Sequence, residues 1–358
     1  MEYVSEGSVK LLIPQAEKIS RQMRVFYNPA MGLNRDVSIL LINSINKEHL
    51  QMADPLAASG VRGIRFLKEL KKNKIKNISI NDGSQNACNL IKTNLLLNKI
   101  NYKKNTAIKL KNEDANSFLL ESAGFDYIDI DPFGTPNPFL DSAIKRLARD
   151  GILAVTATDT GALCGTFPRA CIRKYWAAPK KGPIMHETGL RILIRKIQLV
   201  GAQYDKALLP IFSYSKEHYM RVFLRNEKSK NKADKILRQH GFFNGAGPMW
   251  LGNLWDKNLC NGIFKDAIKD KIFKKDKNLI SFLETIREES KIDIVGFHDL
   301  NYIAGKNKIK NLLKKEIIKN KIKKSGYKAS GTHFKGEGIR SDIQHSKLIK
   351  LLKTNKFL

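Results

Sequence analysis

The sequence predicts an α/β fold: a largely parallel sheet wrapped by helices, followed by a second, smaller α/β domain. Three observations predict it. Short β-leaning apolar runs alternate with helical patterns over the first two-thirds of the chain, acids stand at the ends of successive runs, and past Arg225 the composition shifts towards lysine and asparagine. The boundary is expected at that shift, giving residues 1–225 and 226–358. A chain of 358 residues is long enough for about two domains, each with its own core.

Residues 50–53 form the first expected strand, which closes on Asp54, and the small residues of 55–63 lead into a helix from near Ile64. Residues 78–80 form a second strand closing on Asp82, with a helix over 84–98 behind it. Further strands follow at 106–110, 125–130 and 152–157. Residues 206–212 and 219–224 are separated by a short polar stretch and pair as a terminal hairpin. Beyond the boundary, helical patterns occupy 278–288 and 308–323, a strand covers 326–334, and Gly336 and Gly338 suit a tight turn before Ile339. A helix pair followed by a small hairpin reads either as a winged-helix-like module that contacts RNA or as a structural cap.

Charge narrows the function classes. The chain carries 64 Lys and Arg against 34 Asp and Glu, a formal net charge of +30, so an anionic partner is expected and nucleic acid leads. AT-rich coding also inflates lysine and asparagine and accounts for part of the excess. Cys88, Cys164, Cys171 and Cys260 form no CxxC pair and no zinc quartet, so they read as reduced, packed thiols and no metal is expected. No apolar run approaches the roughly 18 residues a membrane span needs, and no secretory leader pattern opens the chain. A soluble, cytoplasmic protein without a membrane partner is expected, with a monomer as the default state.

The acids at the strand ends carry the chemistry. A strand that ends in an acid and enters a small-residue loop lets backbone N–H groups approach a ligand, and the following helix N-terminus favours an anionic group. The loop from Asp54 to Gly63 lacks a strict GxGxxG, so a carboxylate fits better than a pyrophosphate. Asp82 is placed to accept hydrogen bonds from ribose hydroxyls, and Asp114, with Ala115 leaving room for a ring, to receive an adenine amine. Taken singly, each acid reads equally as a loop or cap residue; the ordered set Asp54, Asp82 and Asp114 argues for an adenosine-type cofactor. The sharpest signal is Asp129-Ile130-Asp131-Pro132-Phe133-Gly134 at the end of the fourth strand. An aryl amine such as guanine N2 is a poor nucleophile because its lone pair is delocalised. Asp131 can accept one N–H and the backbone carbonyl beside Pro132 the other, which aims the lone pair at an incoming methyl group. Phe133 can stack on the base.

These residues belong to a longer set. Glu6-Gly7, Val25-Phe26-Tyr27-Asn28-Pro29, Asn34-Arg35-Asp36, the run from Ser59 to Phe66, Asp131-Pro132-Phe133-Gly134, Cys164-Gly165, His186-Glu187, Gly247-Pro248-Met249-Trp250 and Thr332-His333-Phe334 together make the chain resemble the tRNA guanine-26 dimethyltransferase family over nearly its full length. The resemblance implies a Rossmann-like class I methyltransferase sheet that closes with an antiparallel hairpin. It also implies S-adenosylmethionine as the cofactor and two methyl transfers to N2 of guanine 26 in tRNA. It implies that Arg35 reaches the methionine end of the cofactor, helped by Arg62 or Arg65, and that Phe26 faces the target base opposite Phe133. His186 and Glu187 are read as support for the site or as structure alone. Thr135 replaces the serine of many relatives after the Asp-Pro-Phe-Gly turn, and the cysteine-rich insertion of some relatives is absent between Lys228 and Gly247. Two rivals stand beside this reading: another nucleic-acid amino-methyltransferase, and a non-catalytic RNA-binding protein.

Overall fold

The computed structural model describes residues 1–15 and 25–353. The chain opens with an antiparallel hairpin, β1 (Glu2–Glu6) and β2 (Val9–Ile13), followed by α1 (Gly32–Ser44). The alternating body then runs β3 (Leu50–Asp54), α2 (Val61–Glu69), β4 (Ile75–Asn81), α3 (Gln85–Leu97), β5 (Ile108–Lys111), α4 (Ala115–Leu120), β6 (Phe125–Ile130), α5 (Asn137–Arg146) and β7 (Leu147–Ala157). It continues through α6 (Thr160–Leu163), α7 (Pro168–Tyr175) and α8 (Met185–Ala202) to the hairpin β8 (Lys206–Lys216) and β9 (Tyr219–Lys228). The seven strands are ordered β5-β4-β3-β6-β7-β9-β8, parallel from β5 to β7 and antiparallel at β9 and β8.

Sequence pattern explains the centre of this sheet. Met52, Ile78, Ile80, Ile128 and Ile130 are fully buried, as expected of parallel strands covered by helices on both faces. The chain steps outward from β3 to β5 and returns to place β6 on the other side of β3. That reversal opens a crevice beyond the carboxyl ends of β3, β4 and β6, which is where ligands bind in such sheets. The N-terminal hairpin, which the strand reading did not include, closes one side. It turns at Gly7 (φ +56°), where a Cβ would fall 2.3 Å from Glu69 Oε1 and 2.7 Å from Arg65 Nη2, so the turn lies directly on α2.

The remainder comprises α9 (Lys230–Leu237), the hairpin β10 (His240–Phe243) and β11 (Ala246–Trp250), α10 (Lys257–Lys269) and α11 (Lys277–Glu289). It ends with β12 (His298–Asp299), α12 (Leu300–Lys306), α13 (Lys315–Lys324), β13 (Ala329–Thr332), β14 (Lys335–Ser341) and α14 (His345–Lys353). At the boundary expected from composition the chain is in mid-strand, since β9 continues to Lys228. The large core also takes in Ile236, Trp250, Ile263 and Phe282, and a separate apolar cluster gathers Leu300, Ile318, Ile322, Ile339 and Leu348. The last sheet is ordered β12-β14-β13, with α12 and α13 between β12 and β13, the strand-helix-helix-hairpin order of a winged helix. The helix expected over 308–323 forms only from Lys315: Asn307 ends α12, and Lys308 takes a left-handed φ of +55° that no helix continues through.

A buried ionic cluster ties the two cores together. Arg340 on β14 donates to Glu187 on α8 at 2.6 Å and to Glu289 on α11 at 3.1 Å. Arg191 pairs with Glu187 at 2.9 Å, and His333 contacts Glu289 at 2.5 Å. Burial opposes ionisation of Glu289, but His333 and Arg340 hold its pKa down at about 2. Glu187 therefore serves as structure, and His186 sits 3.5 Å from the Cys164 sulfur.

Candidate active site

The crevice is a cleft of about 610 Å3 whose lining includes Phe26, Arg35, Asp54, Arg62, Asp82, Asp131, Pro132 and Phe133. Each is delivered by a local rule. Asp54 ends β3, and the small residues after it fold into a tight loop that finishes at Gly60 (φ +77°), the N-cap of α2. Asp82 follows β4 and is held by two backbone donors: Ala58 N donates to Oδ2 at 2.8 Å and Ser84 N to Oδ1 at 2.9 Å. Each oxygen retains a lone pair, so the carboxylate is oriented and still able to accept.

The turn after β6 is fixed from both sides. Gly134 N donates to Thr158 Oγ1 at 2.7 Å, and Thr158 N returns a bond to Gly134 O at 2.9 Å. Tyr175 on α7 donates its hydroxyl to Asp159 at 2.6 Å and lies 3.0 Å from Thr135 Oγ1. Arg62 Nη2 donates to Asp131 Oδ2, and among the described residues Asp131 Oδ1 accepts no hydrogen bond. Phe26 and Phe133 meet edge to face with ring centroids 4.1 Å apart.

Beneath the turn lies a chain of alternating charge that the sequence reading missed. Arg221 on β9 grips Asp129 through Nη1 at 2.8 Å and Nη2 at 2.7 Å, and all these groups are buried. Tyr127 adds a hydroxyl at 2.7 Å, and Arg62 Nη1 stands 3.3 Å from the same carboxylate. Burial alone would raise the Asp129 pKa, yet Arg221 and Arg62 hold it below the usual range. Arg62 is thus suspended between Asp129 and Asp131, with Asn34 and Ser38 each accepting from Nη1 at 3.1 Å. A lone Asp between apolar strand residues was the available signal.

The two arginines left open by the sequence separate here. Arg62 reaches the cleft, whereas Arg65 is fully buried outside its lining, held by Glu6 at 2.9 Å and by Asp36 and Glu69 at 2.7 Å. Arg35 does line the cleft, with Nε and Nη2 bonded to Glu6 at 2.6 and 2.5 Å and Nη2 also to Asn28 O at 3.0 Å. Asp114 and Ala115 lie outside the lining: Asp114 is exposed and caps α4, accepting from Asn116 N at 2.9 Å and Ser117 N at 3.1 Å, and Ala115 is buried. Both cap bonds go to Oδ1, so capping leaves Oδ2 able to accept. Lys174 also lines the cleft and was not anticipated.

The cleft suits a cofactor with a cationic end. Asp54 is 2% exposed and its Oδ2 has no hydrogen-bond partner, a buried carboxyl whose charged form a bound cation would stabilise, in a lining that is mostly apolar. Among the described residues no cluster of His, Cys, Asp or Glu is arranged to hold a metal ion, and no helix is long and apolar enough to cross a membrane.

Comparison with known proteins places nearly the whole chain in one family. The family model described as N2,N2-dimethylguanosine tRNA methyltransferase matches residues 7–245 and 241–353. The tRNA (guanine(26)-N(2)/guanine(27)-N(2))-dimethyltransferase of Aquifex aeolicus is 37% identical, covering 98% of this chain and 95% of its own. The tRNA (guanine(26)-N(2))-dimethyltransferase of Pyrococcus horikoshii is 36% identical over 98% of this chain and 97% of its own. The structure of Trm1 from Pyrococcus horikoshii with S-adenosyl-L-methionine superposes with a TM-score of 0.88 at 35% identity, covering 98% of this chain and 99% of that one.

Proposed function

Because the chain belongs to the N2,N2-dimethylguanosine tRNA methyltransferase family, we propose that it transfers two methyl groups in succession from S-adenosylmethionine to N2 of guanine 26 in tRNA. The observation that carries this reading is the Asp131-Pro132-Phe133-Gly134 turn at the carboxyl end of β6, in a cleft with an unpartnered buried Asp54.

S-adenosylmethionine supplies the electrophilic methyl group when bound. Asp82 accepts the ribose hydroxyls, Arg35 meets the methionine carboxylate through the Nη1 that Glu6 leaves available, and Asp54 faces the cationic end. On the substrate side, Asp131 Oδ1 takes one N–H of guanine N2 and the backbone carbonyl beside Pro132 takes the other. The lone pair then points at the methyl carbon, and the carboxylate offsets the positive charge that grows on nitrogen. Arg62 acts as a positioning residue, fixing Asp131 through its other oxygen. Phe26 and Phe133 part to receive the flipped base between them. The basic surface beyond residue 225, with the winged-helix-like unit, grips the tRNA phosphates.

Unmodified tRNA incubated with the protein and labelled cofactor is expected to yield labelled N2,N2-dimethylguanosine at position 26, located by digestion and mass spectrometry. Asp131→Ala is expected to abolish transfer while cofactor affinity, read by calorimetry, stays within a few-fold. Label in a different base, or more than a tenth of wild-type activity in the variant, overturns the assignment.

A further inference from the structure

Between Asp159 and Glu187 the chain has no acid but five cations: Arg169, Arg173, Lys174, Lys180 and Lys181. Helix α7 crosses this stretch and is bound to the catalytic turn on one face. Asn137 Nδ2 donates to Lys174 O at 2.7 Å, Tyr175 reaches Thr135 and Asp159, and Cys171 and Tyr175 are wholly buried. The opposite face carries Arg169, Ile172, Arg173 and Trp176, spaced three and four apart, and all four are exposed.

Ile172, 51% exposed, and Phe167, 63% exposed, have no place on a surface that only needs solvation, while Trp176 already carries Lys196 Nζ 3.0 Å from its ring centre. Phe167, Pro168, Ala170, Arg169 and Arg173 line a shallow depression of about 520 Å3. Among the described residues neither arginine is in an ion pair. Aromatic rings interleaved with unpaired arginines suit a nucleic-acid strand: every base has a face to stack, and every phosphate needs a counter-charge. A protein partner would bring acids as well as apolar groups; the lack of any acid over this whole stretch favours the polyanion.

We propose that the outer face of α7 is a tRNA-docking surface, on which a base neighbouring the target stacks on Phe167 while the flanking phosphates meet Arg169 and Arg173. It rests on tRNA being the substrate. Lys174, at the end of α7 and in the cleft lining, marks where the strand turns inward, so the helix presents the nucleotide next to the one that flips.

The test compares two double variants that lose the same charge. Arg169→Gln with Arg173→Gln alters α7; Lys103→Gln with Lys104→Gln alters the exposed loop before β5, at the opposite end of the sheet. Affinity for unmodified tRNA is measured against salt, alongside steady-state kinetics. The α7 pair is expected to lower the log–log salt slope by about two units, at about 0.9 per phosphate contact, and to raise KM for tRNA about tenfold with kcat within twofold and cofactor affinity unchanged. The loop pair is expected to leave KM within twofold. If the wild-type protein methylates tRNA but the two pairs behave alike, the α7 surface is overturned and the substrate reading stands; if wild type transfers no methyl group to tRNA, both fall.

Discussion

Asp54 keeps a carboxyl group in a place that does not favour its charge. Burial pushes its pKa up to about 7, with Asp129, Asp131 and Asp82 adding to the rise and Arg62 opposing it. The folded protein therefore holds a proton that the unfolded chain gives up near pH 4. The stability this contributes is fully present below that value, declines as pH rises towards 7 and is flat beyond, a change on the order of 4 kcal/mol. Asp54→Asn is expected to flatten the fall in melting temperature over that window and to raise the Tm of cofactor-free protein at about pH 8. Melting curves that follow wild type at every pH would assign the proton to another group. The positions of Asp82, Asp131 and Phe133 in the cleft lining were legible in the sequence, because one strand end dictates one position. Single residues were not legible where a helix turn offers two candidates: Arg62 and Arg65 sit three apart on α2, and only the packing of the N-terminal hairpin decides which one faces the cleft.

Strand β6 is less an apolar rung than a charged one wrapped in apolar neighbours. Asp129 is gripped by Arg221 across the sheet, with β7 lying between their strands. Removing one partner of a buried pair leaves the other uncompensated, which costs about 3–5 kcal/mol. Arg221→Ala is expected to lower unfolding free energy by that amount in urea titration and to loosen Arg62 and with it Asp131; a loss below about 1 kcal/mol would mean that Arg62 alone satisfies Asp129. The succession of strands and helices along the chain was legible because apolar runs and helical patterns alternate. This pairing was not, because the two residues are 92 apart in sequence. The start of α13 was misplaced for a different reason: the chain leaves α12 at Asn307 and Lys308, and the lysine-rich run after them keeps a helical pattern that begins before the helix does.

At the scale of the molecule, composition suggested a boundary at residue 225 that packing does not respect, since lysine content reports the surface and the core beneath continues through α11. What joins the parts is the buried cluster of Glu187, Arg191, Glu289, His333 and Arg340. Charges buried this deeply tolerate little sliding, because a shift of an ångström or two would leave each without its partner. The winged-helix-like end and the Asp131 turn are therefore held at a set separation, as the jaws of a caliper are. On the proposed grip of tRNA by the winged-helix-like end, a fixed span makes length, rather than the reading of neighbouring bases, the quantity that sets the methylated position. Inserting one base pair into the tRNA between the gripped region and the target is expected to move methylation to the guanine newly placed at that distance. Label that stays with the original sequence context would show that the enzyme reads bases instead.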